Sequence, residues 1–154
     1  KLNIKDDDLV INLQGDEPFM PLDLLSKLIH DFTNNECDVI SASHPIYNEE
    51  DIANINCVKV IINTNGYAET FERNLTKKFN NNVMRHIGIY GYKYKTLSKI
   101  IDLKPSPNEL EHKLEQLRFL DNNLSIYMSQ YDREVPLGID TEQDVKRAEE
   151  YLET

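Results

Sequence analysis

The sequence predicts an α/β fold in which helices cover a largely parallel sheet. Short apolar runs typical of strands alternate along the chain with segments whose apolar residues recur at helical spacing. Such alternation builds a layered domain, because each element must bury its apolar side against a neighbour. The 154 residues, 40% of them hydrophobic, suffice for the core of one globular domain.

The elements follow from local patterns. Strands are predicted at residues 9–13, 38–42, 57–62, 67–71, 86–92 and 126–130, and helices at residues 22–32, 96–103, 109–120 and 141–152. Asn65 and Gly66 predict a hairpin turn between the third and fourth strands. Pro21 suits the start of the first helix. Thr141 is the expected N-cap of the last helix, and Asp144, three residues on, completes a capping box with Asp in the place of Glu.

The overall charge excludes several classes of protein. The chain has 17 basic and 27 acidic residues, and its net charge of −10 argues against a general binder of nucleic acid or acidic membranes. No apolar stretch approaches the ~18 residues of a membrane-spanning helix, and residues 1–8 do not resemble a signal peptide. Cys37 and Cys57 lie at no metal-ligand spacing and are expected to be reduced thiols, so the predicted location is the cytoplasm.

Positive charge is concentrated in the middle of the chain. Residues 73–104 include eight basic residues and one acidic residue, Asp102. Most of these basic side chains are expected on a solvated face. Arg73 and Arg85 are better candidates for contact with an anionic ligand, because a guanidinium offers a fork of N–H donors that fits a carboxylate or a phosphate.

Three segments carry the candidate site, because ligands of α/β sheets gather beyond the carboxyl ends of strands. They are the loop 14–18, the strand around 86–92 and the loop 138–141. In the first, Asp16 is either a Mg²⁺ ligand or the cap of an Asx turn. In the third, Asp140 is either a second Mg²⁺ ligand or a cap for the amides of the following helix.

The strand and the helix after it hold further polar candidates. His86, Gly88 and Tyr90 share one face of their strand and offer an imidazole, a gap and a phenol to a hydroxylated, carboxylated ligand. The alternative is the polar outer face of a half-buried strand. Glu115 and Gln116 lie on a polar helix and by themselves indicate only a solvated surface.

Four motifs together resemble one enzyme family. Residues 10–18, VINLQGDEP, are similar to the VNVQGDEP segment of the 3-deoxy-manno-octulosonate (Kdo) cytidylyltransferases, also called CMP-Kdo synthetases. Residues 85–93, RHIGIYGYK, resemble the family's RHLGIYGYR, and residues 105–107 with 114–118 resemble its PSP and LEQLR. Residues 138–144, GIDTEQD, resemble its GVDTPED. The motifs come in the family's order and cover nearly the whole chain.

The resemblance implies a reaction and a set of site residues. CTP and Kdo would react to give CMP-Kdo and pyrophosphate, a step of lipopolysaccharide biosynthesis. It further implies a homodimer and a three-layer sandwich with a mixed, mostly parallel sheet, as in nucleotide-diphospho-sugar transferases. Asp16 and Asp140 would be the catalytic carboxylates that bind Mg²⁺. The substrate-binding residues would be Gln14, Arg73, His86, Tyr90, Glu115 and Gln116.

One family motif has no counterpart in residues 1–154. The family opens with a P-A-R-x-x-S-x-R-x-P-x-K loop that cradles the triphosphate of CTP. Residues 1–154 are therefore expected to be the C-terminal part of a single cytidylyltransferase domain, truncated at its N-terminus and inactive alone. Two alternatives stay open. One is a cytidylyltransferase for another 3-deoxy-ulosonic or sialic-like acid. The other is a non-catalytic sugar-acid binding or dimerisation fragment, which the departure from the family pattern after Arg73 supports.

Overall fold

The computed structural model describes residues 3–75, 82–136, 138–139 and 141–153, which form a sheet with helices packed against it. The strands in these residues are β1 (Leu9–Leu13), β2 (Val39–His44), β3 (Lys59–Ile62), β4 (Ala68–Glu72), β5 (Val83–Lys93) and β6 (Ile126–Gln130). The helices are α1 (Leu22–Asn34), α2 (Glu50–Ala53), α3 (Tyr94–Ile100), α4 (Pro107–His112), α5 (Gln116–Asp121) and α6 (Glu142–Leu152). The α/β class is confirmed, and α2 was not predicted.

β5 is the strand on which the sheet is built. The order across the sheet is β4-β3-β5-β2-β6, and β1 also pairs with β5. Arg85 pairs with Lys59 of β3 and with a residue of β2, whereas Tyr92 pairs with Val10 of β1 and with a residue of β2. β1 and β3 therefore share the edge of β5 that β2 leaves open. Between them lie residues 86–88 of β5, a gap that we call the notch.

The predicted mixed sheet is confirmed, but the prediction that most of its strand pairs are parallel is wrong. Among the described residues, β5 is antiparallel to β1, β2 and β3, β3 is antiparallel to β4, and the β2–β6 pair is parallel. β1, β2, β3 and β6 nevertheless point in the same direction, because the first three oppose β5 and β6 follows β2. One long strand inserted in the opposite direction is enough to make the neighbouring pairs antiparallel. The apolar pattern of a strand does not encode its direction.

The sheet is the middle of three layers. On one face, which we call the α5 face, Ile100 of α3 and Phe119 of α5 join a buried cluster with residues of β3, β4 and β5. On the opposite α1 face, Leu24 and Leu28 of α1 pack in a second cluster with Ile89 of β5. The even-numbered residues of β5 lie on the α5 face and the odd-numbered ones on the α1 face.

The single helix predicted at residues 109–120 is wrong. α4 and α5 occupy this region, and Lys113 between them has a left-handed backbone with φ of 54°. Ser106 and Glu109 form a capping box at the start of α4. The same Glu109 carboxylate accepts a hydrogen bond from Nε of Arg118 at 2.7 Å. This ion pair links the two helices across the break, so the turn that contains Lys113 is fixed rather than frayed.

Several local predictions are confirmed. Gly66 has the positive φ, 89°, that the hairpin between β3 and β4 requires. Thr141 caps α6, and its capping box with Asp144 is formed in both directions. Cys37 and Cys57 are free and buried, and burial raises the pKa of the Cys37 thiol to about 11. No helix within the described residues combines the length and apolar character needed to cross a membrane.

Candidate functional site

Seven of the eight predicted site residues line one cavity of about 250 Å³ at the notch. They are Gln14, Asp16, Arg73, His86, Tyr90, Glu115 and Gln116. The eighth, Asp140, lies outside the described residues. Because the cavity sits where the edge of β5 opposite β2 has no strand beside it, side chains from both faces of the sheet reach it. His86 and Tyr90 reach it from the α5 face, and Arg85 and Ile87 from the α1 face.

A missing side chain at position 88 brings the loop after β1 against the strand. A Cβ on Gly88 would lie 2.8 Å from Oε1 of Glu17 and 3.3 Å from Oε1 of Gln14. The first distance is shorter than carbon and oxygen tolerate without a bond. The ends of the Glu17 and Gln14 side chains therefore occupy the space that a side chain at residue 88 would take.

The loop before α6 closes on the same place. Ile139 donates its backbone N–H to the carbonyl oxygen of Asp16 at 2.8 Å. A Cβ on Gly138 would lie 3.1 Å from that same carbonyl oxygen. The three segments that the sequence places at strand ends thus meet at the notch. The loop that leads to Asp140 is attached to the loop that carries Asp16.

His86 is held as a neutral imidazole. Its Nε2 lies 2.8 Å from Oγ of Ser41, which also lies 2.8 Å from the carbonyl oxygen of Ile89. Ser41 has one hydroxyl hydrogen and a carbonyl can only accept, so Ser41 donates to Ile89 and accepts from His86 Nε2–H. Burial, with the charge of Arg85 as the second cause, lowers the pKa of His86 to about 3. The remaining ring nitrogen, Nδ1, is then a hydrogen-bond acceptor.

Tyr90 and Gln116 form a buried polar pair beside His86. Gln116 Nε2 donates to the Tyr90 hydroxyl at 2.5 Å, and the Gln116 residue is only 8% exposed. Its amide oxygen is buried and has no hydrogen-bond partner among the described residues. Burial is the main cause that raises the pKa of Tyr90, so the phenol keeps its proton. The cavity wall therefore offers an amide oxygen that a ligand hydroxyl could satisfy.

Arg73 and Glu115 lie at the rim. Arg73 donates from Nη1 to the carbonyl oxygen of Ile55 at 3.0 Å and from Nη2 to that of Lys113 at 3.3 Å. Its guanidinium thus connects the turn before β3 to the turn between α4 and α5. Glu115 is exposed at the start of α5, where its carboxylate faces solvent at the cavity mouth.

The donors at the mouth of the cavity have the chemistry that Mg²⁺ selects. Asp16 is exposed there, and Mg²⁺ is usually held by one or two carboxylates together with water and substrate phosphate oxygens. Within the described ranges, no group of three or more His, Cys, Asp or Glu side chains could bind a metal without help from a substrate. Asp16 fits a shared site of this kind, which needs a second carboxylate.

Several residues that line the cavity were not predicted as site residues, among them Glu17, Asn56 and Lys113. Glu17 and Asn56 contribute polar groups, and Lys113 adds a positive charge. Glu17 could have been found, because it stands inside the GDEP motif next to Asp16. Lys113 had no signal, since its place at the cavity depends on a helix break that the apolar pattern does not show.

Comparison with known proteins identifies one family. The family described as cytidylyltransferase matches residues 1–126 of the chain. The chain is 39% identical over 165 aligned positions to the 3-deoxy-manno-octulosonate cytidylyltransferase of Thermodesulfovibrio yellowstonii, covering 99% of the chain and 63% of that protein. It is 38% identical over 160 positions to the enzyme of the same name from Francisella tularensis subsp. novicida, covering 96% and 63%. The chain thus spans less than two thirds of the length of these relatives.

Solved structures show the same fold. A CMP:2-keto-3-deoxy-manno-octonic acid synthetase complexed with CTP matches with a TM-score of 0.85 and 27% identity, covering 95% of the chain and 62% of that structure. A glucose-1-phosphate thymidylyltransferase from Bacillus anthracis matches with a TM-score of 0.60 at 17% identity, which shows likeness of fold alone.

Proposed function

Because the chain belongs to the cytidylyltransferase family, we propose that it is the sugar-binding and metal-carboxylate portion of an enzyme that transfers CMP from CTP to Kdo. Relatives that carry this activity in their names align with nearly the whole chain. The structural neighbour named as a synthetase of the same sugar nucleotide was solved with CTP. Kdo is a polyhydroxylated carboxylic acid, which is the ligand chemistry proposed for the notch.

The observation that carries the proposal is the convergence of seven polar side chains on one cavity. They come from the loop after β1, the end of β4, strand β5 and the start of α5, so no single local structure explains their meeting. Gln116 supplies a buried amide oxygen that needs a donor, and His86 supplies an acceptor nitrogen. Hydroxyl groups of a sugar can donate to both.

The residues of the notch would act by binding and orienting. In the proposed reaction the anomeric oxygen of Kdo bonds to the α-phosphorus of CTP, and the bond from that phosphorus to the bridging oxygen of the β-phosphate breaks. Pyrophosphate leaves, and the hydroxyl proton passes to water. Tyr90, Gln116 and His86 would fix the sugar so that its anomeric oxygen faces the phosphorus, which is the main requirement of such transfers. Mg²⁺, held by Asp16 and Asp140, would offset the charge on the phosphate oxygens.

We also propose that the protein acts in the cytoplasm and forms a homodimer. The free, buried cysteines suit the reducing cytoplasm, where both substrates would be used. A homodimer is proposed from the resemblance to the family. Light scattering of the purified chain measures its mass, and a monomer at micromolar concentration would contradict this part for residues 1–154.

Isothermal titration calorimetry with Kdo tests the sugar-binding function. We expect residues 1–154 to bind Kdo, and Mg²⁺ to strengthen binding in the presence of CTP. Asp16→Asn should remove the effect of Mg²⁺ and leave metal-free binding of Kdo in place. Asp102→Asn, an exposed carboxylate on a turn outside the cavity, is the matched control. An equal effect of Mg²⁺ on the Asp16→Asn variant would contradict the role of Asp16.

Two further ligands separate the alternatives. N-acetylneuraminic acid in place of Kdo tests the reading as a synthetase for a sialic-like acid, and tighter binding of that sugar would favour it. Formation of CMP-Kdo from CTP, Kdo and Mg²⁺ tests turnover. We expect none at an ordinary enzymatic rate from residues 1–154, because they contain no match to the triphosphate loop of the family.

A further inference from the structure

We propose that Arg85 binds an oxyanion, a carboxylate or a phosphate group, in the notch cavity. Arg85 was singled out in the sequence only as a possible anion contact. The proposal deepens the proposed function, on which the identity of the ligand rests, but the site itself is argued from the charges and contacts of described residues.

Arg85 stands in a row of three buried basic side chains. It pairs in register with Lys59 of β3 on one side and with His44 of β2 on the other, so all three lie on the α1 face of the sheet. Lys59 and His44 are fully buried, and Arg85 is 5% exposed. Burial lowers the pKa of Lys59 and that of His44. Lys59 and Arg85 are neighbouring cations, and burying two such charges together costs free energy unless an anion compensates them.

The carboxylates near the row compensate it only in part. Asp51 is the acid within ion-pair distance of Arg85 among the described residues, and its Oδ2 lies 3.7 Å from Nη1, beyond hydrogen-bond length. Glu72 pairs with Lys59 in register, yet Lys59 Nζ donates instead to the carbonyl oxygens of Asn54 and residue 73, at 2.7 and 2.8 Å. Arg85 therefore has room for a closer anionic partner.

The free donor of Arg85 is at its Nε atom. This atom is buried and has no hydrogen-bond partner in the part of the chain that the structure describes. Burying an arginine Nε–H away from water without an acceptor carries a large desolvation penalty. In native proteins such a buried donor therefore nearly always has a hydrogen-bond partner. In Arg118, by contrast, Nε donates to Glu109 at 2.7 Å. The difference between these two arginines indicates that Arg85 takes a further partner from outside the described residues, and we propose that this partner is a bound anion.

Arg85 borders two cavities, and their charges indicate which of them holds the anion. Arg85 lines the notch cavity and also a second cavity of about 610 Å³ on the side of α6. The second cavity is rich in acids, with Glu50, Asp51 and Glu134 in its wall. The notch also has acids in its wall, namely Asp16, Glu17, Glu115 and Asp144. Besides Arg85 it has two cations, Arg73 and Lys113, whereas the second cavity has one, Arg147. An oxyanion is therefore favoured on the notch side, where the carboxylate of a sugar acid and the phosphates of a nucleotide would both arrive.

NMR of arginine side chains tests the site in the wild-type chain, and a variant is needed only to assign the signal. Arginine labelled with ¹⁵N gives one Nε–Hε signal per residue, and the loss of one signal in Arg85→Lys assigns Arg85. The chain is titrated with Kdo and, separately, with inorganic pyrophosphate. We expect the Arg85 signal to move downfield and to saturate, because a hydrogen bond from Nε–H to an anion deshields the proton. The Arg118 signal, whose Nε is already bonded, should stay in place.

Calorimetry of two variants measures the effect on affinity. A charge-assisted hydrogen bond lost from a buried site should weaken binding of the anion by about 10- to 100-fold in Arg85→Gln. Arg85→Lys keeps the charge and guards against misfolding, which far-ultraviolet circular dichroism checks, and it should weaken binding less. Arg133→Gln, an exposed arginine outside both cavities, is the control.

Each outcome decides between the sources of the anion or rejects the site. A shift of the Arg85 signal with Kdo alone assigns a carboxylate, and a shift with pyrophosphate alone assigns a phosphate. If Kdo binds wild type and Arg85→Lys equally and the Arg85 signal does not move with either anion, the anion site is wrong while the sugar proposal survives. If Kdo fails to bind but pyrophosphate moves the signal, the site stands and the sugar assignment falls. Binding of neither anion overturns the site.

Discussion

The two halves of β5 use the same residue type for opposite purposes. Gly91 lies between β1 and β2, where a Cβ would meet Cγ2 of Ile40 at 2.8 Å and Cδ1 of Leu9 at 3.1 Å. Gly88 lies in the notch, where a Cβ would meet the ends of the side chains of Glu17 and Gln14. In the half of β5 around Gly91, the missing side chain lets apolar neighbours pack closely. In the half around Gly88, it lets polar side chains approach the cavity.

This difference separates stability from function within one strand. Residues 89–93 pair with β1, and residues 90–92 also pair with β2 on the other edge, so substitutions in this half should change the free energy of unfolding. Residues 86–88 have β2 on one edge and the cavity on the other, so their substitution should change ligand binding more than stability. Four predictions test this division, in order of decreasing expected effect.

The largest loss of stability is expected from Ile89→Ala in the packed half. Ile89 is fully buried in the cluster on the α1 face, so its truncation leaves a cavity and should cost about 2–5 kcal/mol of unfolding free energy. Urea denaturation measures the loss. Ile101→Ala, at a position 75% exposed, should change stability by less than about 0.5 kcal/mol. Equal losses in the two variants would contradict the assignment of Ile89 to the core.

The second effect is a loss of stability in acid caused by His86. The pKa of His86 is lowered to about 3 in the folded chain, against an ordinary value near 6.5, so below pH 6.5 the unfolded chain binds the proton more tightly. Stability is therefore full above pH 6.5 and falls on acidification towards pH 3, by up to about 1.4 kcal/mol per pH unit.

Urea denaturation of wild type and His86→Gln from pH 7 to 4.5 isolates this contribution. In the variant, the free energy of unfolding should fall less steeply with decreasing pH than in wild type. Part of the fall should remain, because burial also lowers the pKa of His44. His112→Gln, at an exposed position, should keep the slope of wild type. An identical pH dependence in wild type and His86→Gln would show that His86 does not stay neutral in the folded chain.

A third, smaller effect on stability is expected from Gly91→Ala. The added methyl group has to displace the buried side chain of Ile40 and the half-buried side chain of Leu9, and overpacking of this kind costs about 1–3 kcal/mol. Thermal unfolding followed by circular dichroism measures the change. A melting temperature equal to that of wild type would mean that β1 and β2 are less tightly fixed around β5 than the contacts indicate.

The smallest effect on stability is expected from Gly88→Ala. The added methyl group meets only the ends of the Glu17 and Gln14 side chains, which can rotate away, so stability should change by less than about 1 kcal/mol. Because those side chains move out of their place at the notch, affinity for Kdo should fall by about tenfold, near 1.4 kcal/mol. Unfolding and calorimetry on one preparation compare the two. A large loss of stability with unchanged affinity would reverse the division proposed for β5.

The sequence predicted the elements better than their arrangement. Local signals located the strands, the turn at Gly66 and the cap at Thr141, because each depends on a few neighbouring residues. Strand direction was predicted wrongly, since apolar runs look alike in parallel and antiparallel sheets. The break at Lys113 was missed, because the ion pair between Glu109 and Arg118 that accompanies it joins residues nine positions apart.

For the candidate site, too, the residues could be predicted from the sequence better than their contacts. Motif resemblance named seven residues that do line one cavity, including Gln116, whose pattern alone indicated a solvated helix. It did not indicate that Nε of Arg85 has no hydrogen-bond partner among the described residues, because that depends on the register of β2, β3 and β5 and on which atoms are within reach. The partners of a buried atom are a property of tertiary structure.

A crystal structure of residues 1–154 with Kdo tests the central claim most directly. We expect the sugar in the notch between β1 and β3, with one hydroxyl donating to Oε1 of Gln116 and another group within hydrogen-bond distance of His86 or Tyr90. Kdo bound elsewhere on the chain, with the Gln116 amide oxygen still without a donor, would contradict the assignment of the notch as the sugar site.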